Sequence, residues 1–266
     1  MKRSRLCAPD NGEGSGRLYQ VIGDEERTAH SLHNMNKVKD GIFSLVHNQG
    51  LNKILPPYAV LPLILCPIIN IVVYNGAQLL VRQRHHYDFT TAWDNLIPVV
   101  PAWTLVYLGC FLIWIVNYIL VCRESREICY EFLSAEALSK LICGVFFLVL
   151  PTTNLRPELV GSDCFTWMLR FVYAVDQPVN LFPSIHCLAI WYSWRGLLKC
   201  RKVPGWYKWL SFLFVWLVFL SVLYTKQHVL VDIAGGVAVA EIGWYLSGKL
   251  HLGRVYERLN SRIKVT

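Results

Sequence analysis

The sequence predicts an all-α, polytopic integral membrane protein with six transmembrane helices, and three observations predict it. Of its 266 residues, 54% are hydrophobic and only 17% charged, too apolar a balance for an ordinary soluble domain. Six windows reach the length of roughly 20 mostly apolar residues that the hydrocarbon of a bilayer requires. Lysine and arginine gather in alternate loops, the distribution that orients membrane proteins.

Taken in order, residues 1 to about 34 are polar around "DNGEGSG" and read as a mobile cytoplasmic tail, without the apolar core or cleavage site of a signal peptide. Met35 to Leu55 mixes lysines with Val38, Ile42, Phe43, Leu45 and Val46, which suggests a short interfacial helix, although Gly41 and Gly50 weaken it. The spans follow at about Ile54–Val81, Ile97–Val121, Phe132–Pro151, Val179–Leu198, Trp206–Thr225 and Val229–Leu250. Glu136 and Lys140 interrupt the third, His186 and Arg195 the fourth. Polar groups at that depth turn toward a protein interior or a wet cavity. The expected division is a tail with an interfacial helix over 1–53, a six-helix membrane domain over 54–250 and a second tail over 251–266.

Charge then sets the orientation. Nineteen of the 26 lysines and arginines fall in the amino-terminal tail, the "CRESRE" and "KCRKVPGWYK" loops and the carboxy-terminal tail. Arg82, Arg84, Arg156, Arg170 and Lys226 lie on the other side, with Lys140 and Arg195 inside spans. Both termini are therefore expected to be cytoplasmic. The net charge of +8 is a topology signal with some attraction to anionic headgroups. No interleaving of basic and aromatic residues in a soluble segment points to nucleic acid. The nine cysteines form no C-x-x-C pair and suggest neither a disulfide framework nor a zinc site.

The chemistry concentrates near span ends. In "TKQHVLVDIAGG", His228 and Asp232 are four apart, so on a helix the carboxylate accepts a proton from one imidazole nitrogen and leaves the other as base or nucleophile. The same spacing also serves as a plain buried polar contact between helices. A lone histidine such as His186 is as readily a satisfied core residue. With the third and fifth spans running outward, Arg156, Ser184, His186, Lys226, His228 and Asp232 all fall at the non-cytoplasmic face. That inventory suits a phosphate: a bidentate arginine, a lysine, a serine hydroxyl with helix-start amides, and two histidines as nucleophile and general acid. Neither a metal nor another cofactor is required, because cationic side chains can stabilise the charge on the phosphoryl oxygens.

"NLRPE", "NLFPSIH" and "KQHVLVD", in that order, resemble the three-motif signature of the type-2 phosphatidic-acid phosphatase superfamily. With "DNLIPVVP" before the second span, the likeness is greatest to its inositol phosphorylceramide synthase-like branch and covers roughly Asp94 to Gly236. The resemblance implies six membrane helices and a phosphohistidine mechanism. It makes Arg156 and Ser184 phosphate-binding, His186 the acid, His228 the nucleophile and Asp232 its orienting carboxylate. The pattern departs at Val149, where a lysine is usual, at Val222, where an arginine is usual, and at Ile185, where a glycine is usual. Lys226 is positioned in sequence to supply the lost charge. These departures favour a synthase-like enzyme, in which an alcohol in place of water resolves the intermediate.

His85 and His86 read as a solvated loop, while Asp94 stands either at the site entrance or as the cap of "TAWDN". Glu241 has no evident partner in sequence and is expected either to pair with Arg195 or Lys140 or to snorkel, and Gly235 and Gly236 to form a close-packing helix face. The expected function is a membrane-embedded lipid phosphate phosphatase or phosphotransferase, working at the outer or lumenal face of its membrane, the inner membrane if bacterial. The partners are a lipid phosphate drawn from the bilayer and an acceptor alcohol. Two alternatives stand: inositolphosphotransferase-type transfer of a phosphorylated headgroup between lipids, and a transporter with an intramembrane polar path.

Overall fold

The computed structural model describes residues 48–263, together with residues 33, 34, 37, 38, 40, 41 and 44. The tail expected over 1–34 lies outside the described residues except at 33 and 34. Of the expected interfacial helix, the continuous part is α1 (Gln49–Ile54), whose first turn is capped by the Asn48 side chain.

Four long apolar helices confirm the first three spans and the fifth: α2 (Pro57–Val81), α4 (Thr104–Glu124), α5 (Arg126–Val149) and α8 (Gly205–Tyr224). The sixth is α9 (Leu230–Lys249), and all five are long and apolar enough to cross a membrane. Their outward faces carry exposed apolar side chains such as Leu79, Leu112, Ile115, Trp209 and Trp216, as lipid-facing surfaces do. The fourth expected span differs. Instead of a helix over Val179–Leu198 there is a 13-residue helix, α7 (Ile185–Leu197), about 20 Å long and too short to cross unaided. Pro183 cannot donate to a helical ladder, and the Ser184 side chain caps the helix one residue later, so residues 179–184 run as loop. The polytopic all-α architecture stands, with five long spans and one short buried helix.

Three small elements lie at the α4 end of the bundle. These are α3 (Ala92–Leu96), a parallel bridge of β1 (Tyr87–Asp88) with β2 (Thr152–Thr153), and α6 (Cys164–Val175). The bridge ties the loop after α2 to the loop after α5. Thr152 and Thr153 side chains extend the tie to Phe182 N–H and the Pro178 carbonyl. The segment expected as a second tail contains α10 (Gly253–Ile263), which packs on α5 and α2. Its buried Asn260 donates to the Tyr58 carbonyl and to Tyr130 Oη.

The core lies between α2, α5, α7 and α9, and includes a buried polar cluster. Lys140 Nζ lies 2.8 Å from Glu136 Oε1, which also accepts from Tyr118 Oη at 2.5 Å, while Cys66 Sγ donates to Glu136 Oε2 at 2.6 Å. A buried ion pair is tolerated only when its remaining donors and acceptors are satisfied, and three helices do so here. Glu241 pairs with Arg195 at 3.3 Å and accepts from Trp191 Nε1 at 2.7 Å, which selects the first of its two expected partners.

Candidate active site

Two glycines let α9 close on the start of α7. A Cβ on Gly236 would stand 2.6 Å from the Ser184 carbonyl oxygen, and one on Gly235 2.4 Å from the Phe182 ring. The resulting contact allows Ser184 N–H to donate to the Asp232 carbonyl at 3.1 Å. His186 thereby faces the turn that precedes α9.

That turn is folded tightly. The N–H groups of Gln227 and His228 both donate to the Val222 carbonyl, at 2.9 and 3.1 Å, and Lys226 takes φ 52° to allow it. His228 precedes α9, so its contact with Asp232 is not the same-face helical pair expected from their spacing. Asp232 sits in the first turn, where Oδ2 accepts both Val229 N–H at 3.0 Å and His228 Nδ1–H at 3.2 Å. One oxygen thus caps the helix and fixes the imidazole. His228 Nε2 then faces His186 Nδ1 at 3.4 Å.

Lys226 lies within this turn, and Arg156 contacts it from the loop after α5. Arg156 Nη2 donates to Gln227 Oε1 at 2.7 Å, Nη1 donates to the Asp176 carbonyl, and the guanidinium lies over the Tyr173 ring at 4.6 Å. Burial lowers the Arg156 pKa, against the opposing pull of Asp176. Arg156 Nε and Gln227 Nε2 are buried donors with no hydrogen-bond partner among the described residues. Lys226 Nζ donates to the Asp94 carbonyl at 2.7 Å, and burial lowers its pKa while Asp94 opposes the shift. Ser184 is buried, and its Oγ accepts Cys187 N–H at 3.2 Å as the cap of α7.

Asp94 caps α3 and also lines a cavity that reaches His228. It forms a capping box with Thr91 on α3, and Oδ1 accepts Leu230 N–H at 2.8 Å, joining α3 to the start of α9. Burial pushes its carboxyl up, but the bonds from Thr91 and Leu230 and the charge of Lys226 hold it below the ordinary carboxylate value.

Two cavities share His228 in their walls. One, of about 350 Å³, is walled mainly by apolar groups including Phe111, Trp114, Val172, Leu181 and Ile185, and reaches both His186 and His228. Ile185, in the place of the usual glycine, is part of that wall. The other, of about 240 Å³, is lined by Thr90, Asp94, Asn95, Asn154, Lys226 and His228 among others.

Three site residues were not apparent in the sequence. Asp176 Oδ2 accepts from Tyr107 Oη at 2.9 Å and Oδ1 from Tyr74 Oη at 3.1 Å, while Tyr107 Oη lies 2.9 Å from His186 Nε2. The available signal was an acidic residue among apolar neighbours in "YAVDQPVN", ten residues before His186. Among the described residues, no group of three or more His, Cys, Asp or Glu is arranged to hold a metal ion. A family model described as the PAP2 superfamily matches residues 99–246, more than half of the chain. No curated protein matches it.

Proposed function

Because the chain belongs to the PAP2 superfamily, whose membership supports phosphoester hydrolysis or transfer, we propose that it is a membrane-embedded lipid phosphate phosphatase or phosphotransferase working through a phosphohistidine. The observation that carries this reading is the chain Asp232–His228–His186, with contacts of 3.2 and 3.4 Å. Asp232 holds the Nδ1–H tautomer of His228, so the Nε2 lone pair attacks phosphorus. His186 gives a proton to the departing alkoxide. The covalent intermediate is then resolved by water or an alcohol, with His186 taking the proton back.

Arg156, Lys226 and Ser184 are assigned to the phosphate. The unpaired Arg156 Nε and Gln227 Nε2 support this, because a buried donor without a partner costs roughly 1–3 kcal/mol that an oxyanion would recover. The starts of α7 and α9 add the positive ends of two helices. The apolar cavity suits the lipid that leaves with its oxygen beside His186. By the charge distribution the site faces away from the cytoplasm and both termini lie on the cytoplasmic side.

The polar cavity beside His228 favours a second reading within the same chemistry. A polar headgroup there stays on phosphorus, and an acceptor lipid completes an inositolphosphotransferase-type exchange. The departures at Val149, Ile185 and Val222 support the same synthase-like branch. The transporter alternative loses ground, since the buried Glu136 and Lys140 are bonded to each other, to Cys66 and to Tyr118.

The test is turnover of purified protein against phosphatidate, prenyl diphosphate, phosphoinositide and sphingolipid substrates. His228→Ala is expected to lower the rate by about 10³-fold or more and to abolish an acid-labile phosphoenzyme. Wild-type turnover in the variant would overturn the assignment. Release of inorganic phosphate identifies the hydrolase, and a new phospholipid formed with added acceptor identifies the transferase.

A further inference from the structure

We propose that Tyr107 and Asp176 are positioning residues that select which nitrogen of His186 works, an inference that rests on the acid role given to His186 above. The contacts among Asp176, Tyr107 and His186 Nε2 admit one consistent assignment of protons. Asp176 is held on both oxygens, by Tyr74 Oη at 3.1 Å and Tyr107 Oη at 2.9 Å, and its carbonyl is held by Arg156 Nη1. A carboxylate only accepts, so the Tyr107 proton points to Asp176. The Tyr107 oxygen is then left to accept from His186 Nε2–H at 2.9 Å. Nδ1 therefore faces the reaction side, where His228 Nε2 stands at 3.4 Å. Each histidine is backed by a carboxylate, His228 directly through Asp232 and His186 at one remove through Tyr107.

The protons balance in both half-reactions. As the bond from His228 Nε2 to phosphorus forms and the bond from phosphorus to the leaving oxygen breaks, the His186 imidazolium passes its Nδ1 proton to that oxygen and becomes the neutral Nε2–H form. In the second step Nδ1 accepts the proton of the attacking water or alcohol, and the bond to His228 breaks. Tyr107 and Asp176 keep their protonation states throughout and stabilise the imidazolium through the Nε2–H bond. The groups that face this ring are Tyr107 from α4, Asp176 at the end of α6 and His228 before α9, with Tyr74, Arg156 and Asp232 one contact further away. Phe111 and Trp114 cover the remaining sides, with ring centroids 6.2 and 5.8 Å from the imidazole.

The test is ¹⁵N NMR of the full chain, labelled at histidine, in lipid nanodiscs, with His186→Gln identifying the His186 signals. The wild type is expected to show neutral His186 protonated on Nε2. Tyr107→Phe and the isosteric Asp176→Asn are each expected to lower its titration midpoint by about one pH unit. Turnover in both variants falls through kcat with KM little changed, and the alkaline limb of kcat follows the midpoint down. A wild-type ring protonated on Nδ1, or a midpoint unmoved in both variants while the other histidine signals keep their positions, overturns the proposal. Because the NMR needs no substrate, that failure is separate from failure of the reaction itself, which His228→Ala reports.

Discussion

His228 is fixed at its backbone by the Val222 carbonyl and at its ring by Asp232 Oδ2, which also caps α9. Asp232→Asn keeps the shape but offers the imidazole an amide that can turn its N–H toward it, which favours the wrong tautomer. We expect kcat to fall roughly 10²–10⁴-fold with a small change in KM, measured on the substrate that the panel identifies. The role proposed for His186 predicts a comparable loss in His186→Ala, greatest for alkanol leaving groups, which need a proton most. His228 and Asp232 were legible in sequence because a contact four residues long is encoded locally, even though a helix cap and not a helix face makes it. Tyr107 and Asp176 were not legible. Their contacts with each other and with His186 cross 69 and 79 residues of chain, and nothing in a hydropathy pattern distinguishes a tyrosine facing a site from one facing lipid.

At the scale of elements, the approach of α9 to α7 rests on two positions without a side chain. Gly236→Ala sets a methyl group against the rigid Ser184 carbonyl, so the helices must separate. A loss of about 1–3 kcal/mol in thermal unfolding and of up to ~10²-fold in turnover is expected, the latter because the two imidazoles move apart. Gly235→Ala meets a phenyl ring that can turn, and the loss should be smaller. The buried pair on α5 gives a second comparison. Lys140→Met leaves Glu136 uncompensated and should destabilise by about 3–5 kcal/mol, whereas the double change Glu136→Gln with Lys140→Met should cost markedly less. The long helices were legible from length and apolarity alone. The short α7 was not, because the apolar residues on both sides of Pro183 make a continuous window in sequence, while Ser184 and the proline decide where the helix begins.

For the whole molecule, the charge distribution predicts that α6 lies on the side opposite the termini. Cys164 at its start is exposed, and the other described free cysteines are buried. In a Cys7→Ser background, a membrane-impermeant maleimide added outside sealed right-side-out vesicles should label the protein, and labelling only after permeabilisation would reverse the orientation. The grouping of lysine and arginine behind that expected orientation was legible because it does not depend on packing. The arrangement of polar groups inside the bundle was not, and it bears on how the chain is made. Cys66, Tyr118, Glu136 and Lys140 all belong to α2, α4 and α5, so the first half of the polypeptide can complete its buried polar network before α7, α8 and α9 are synthesised. Glu136 and Lys140, one turn apart, also allow the buried stretch of α5 to enter the bilayer with its two charges paired. Helices α7 and α9, at whose starts the two histidines stand, can then pack against a network already in place on α5.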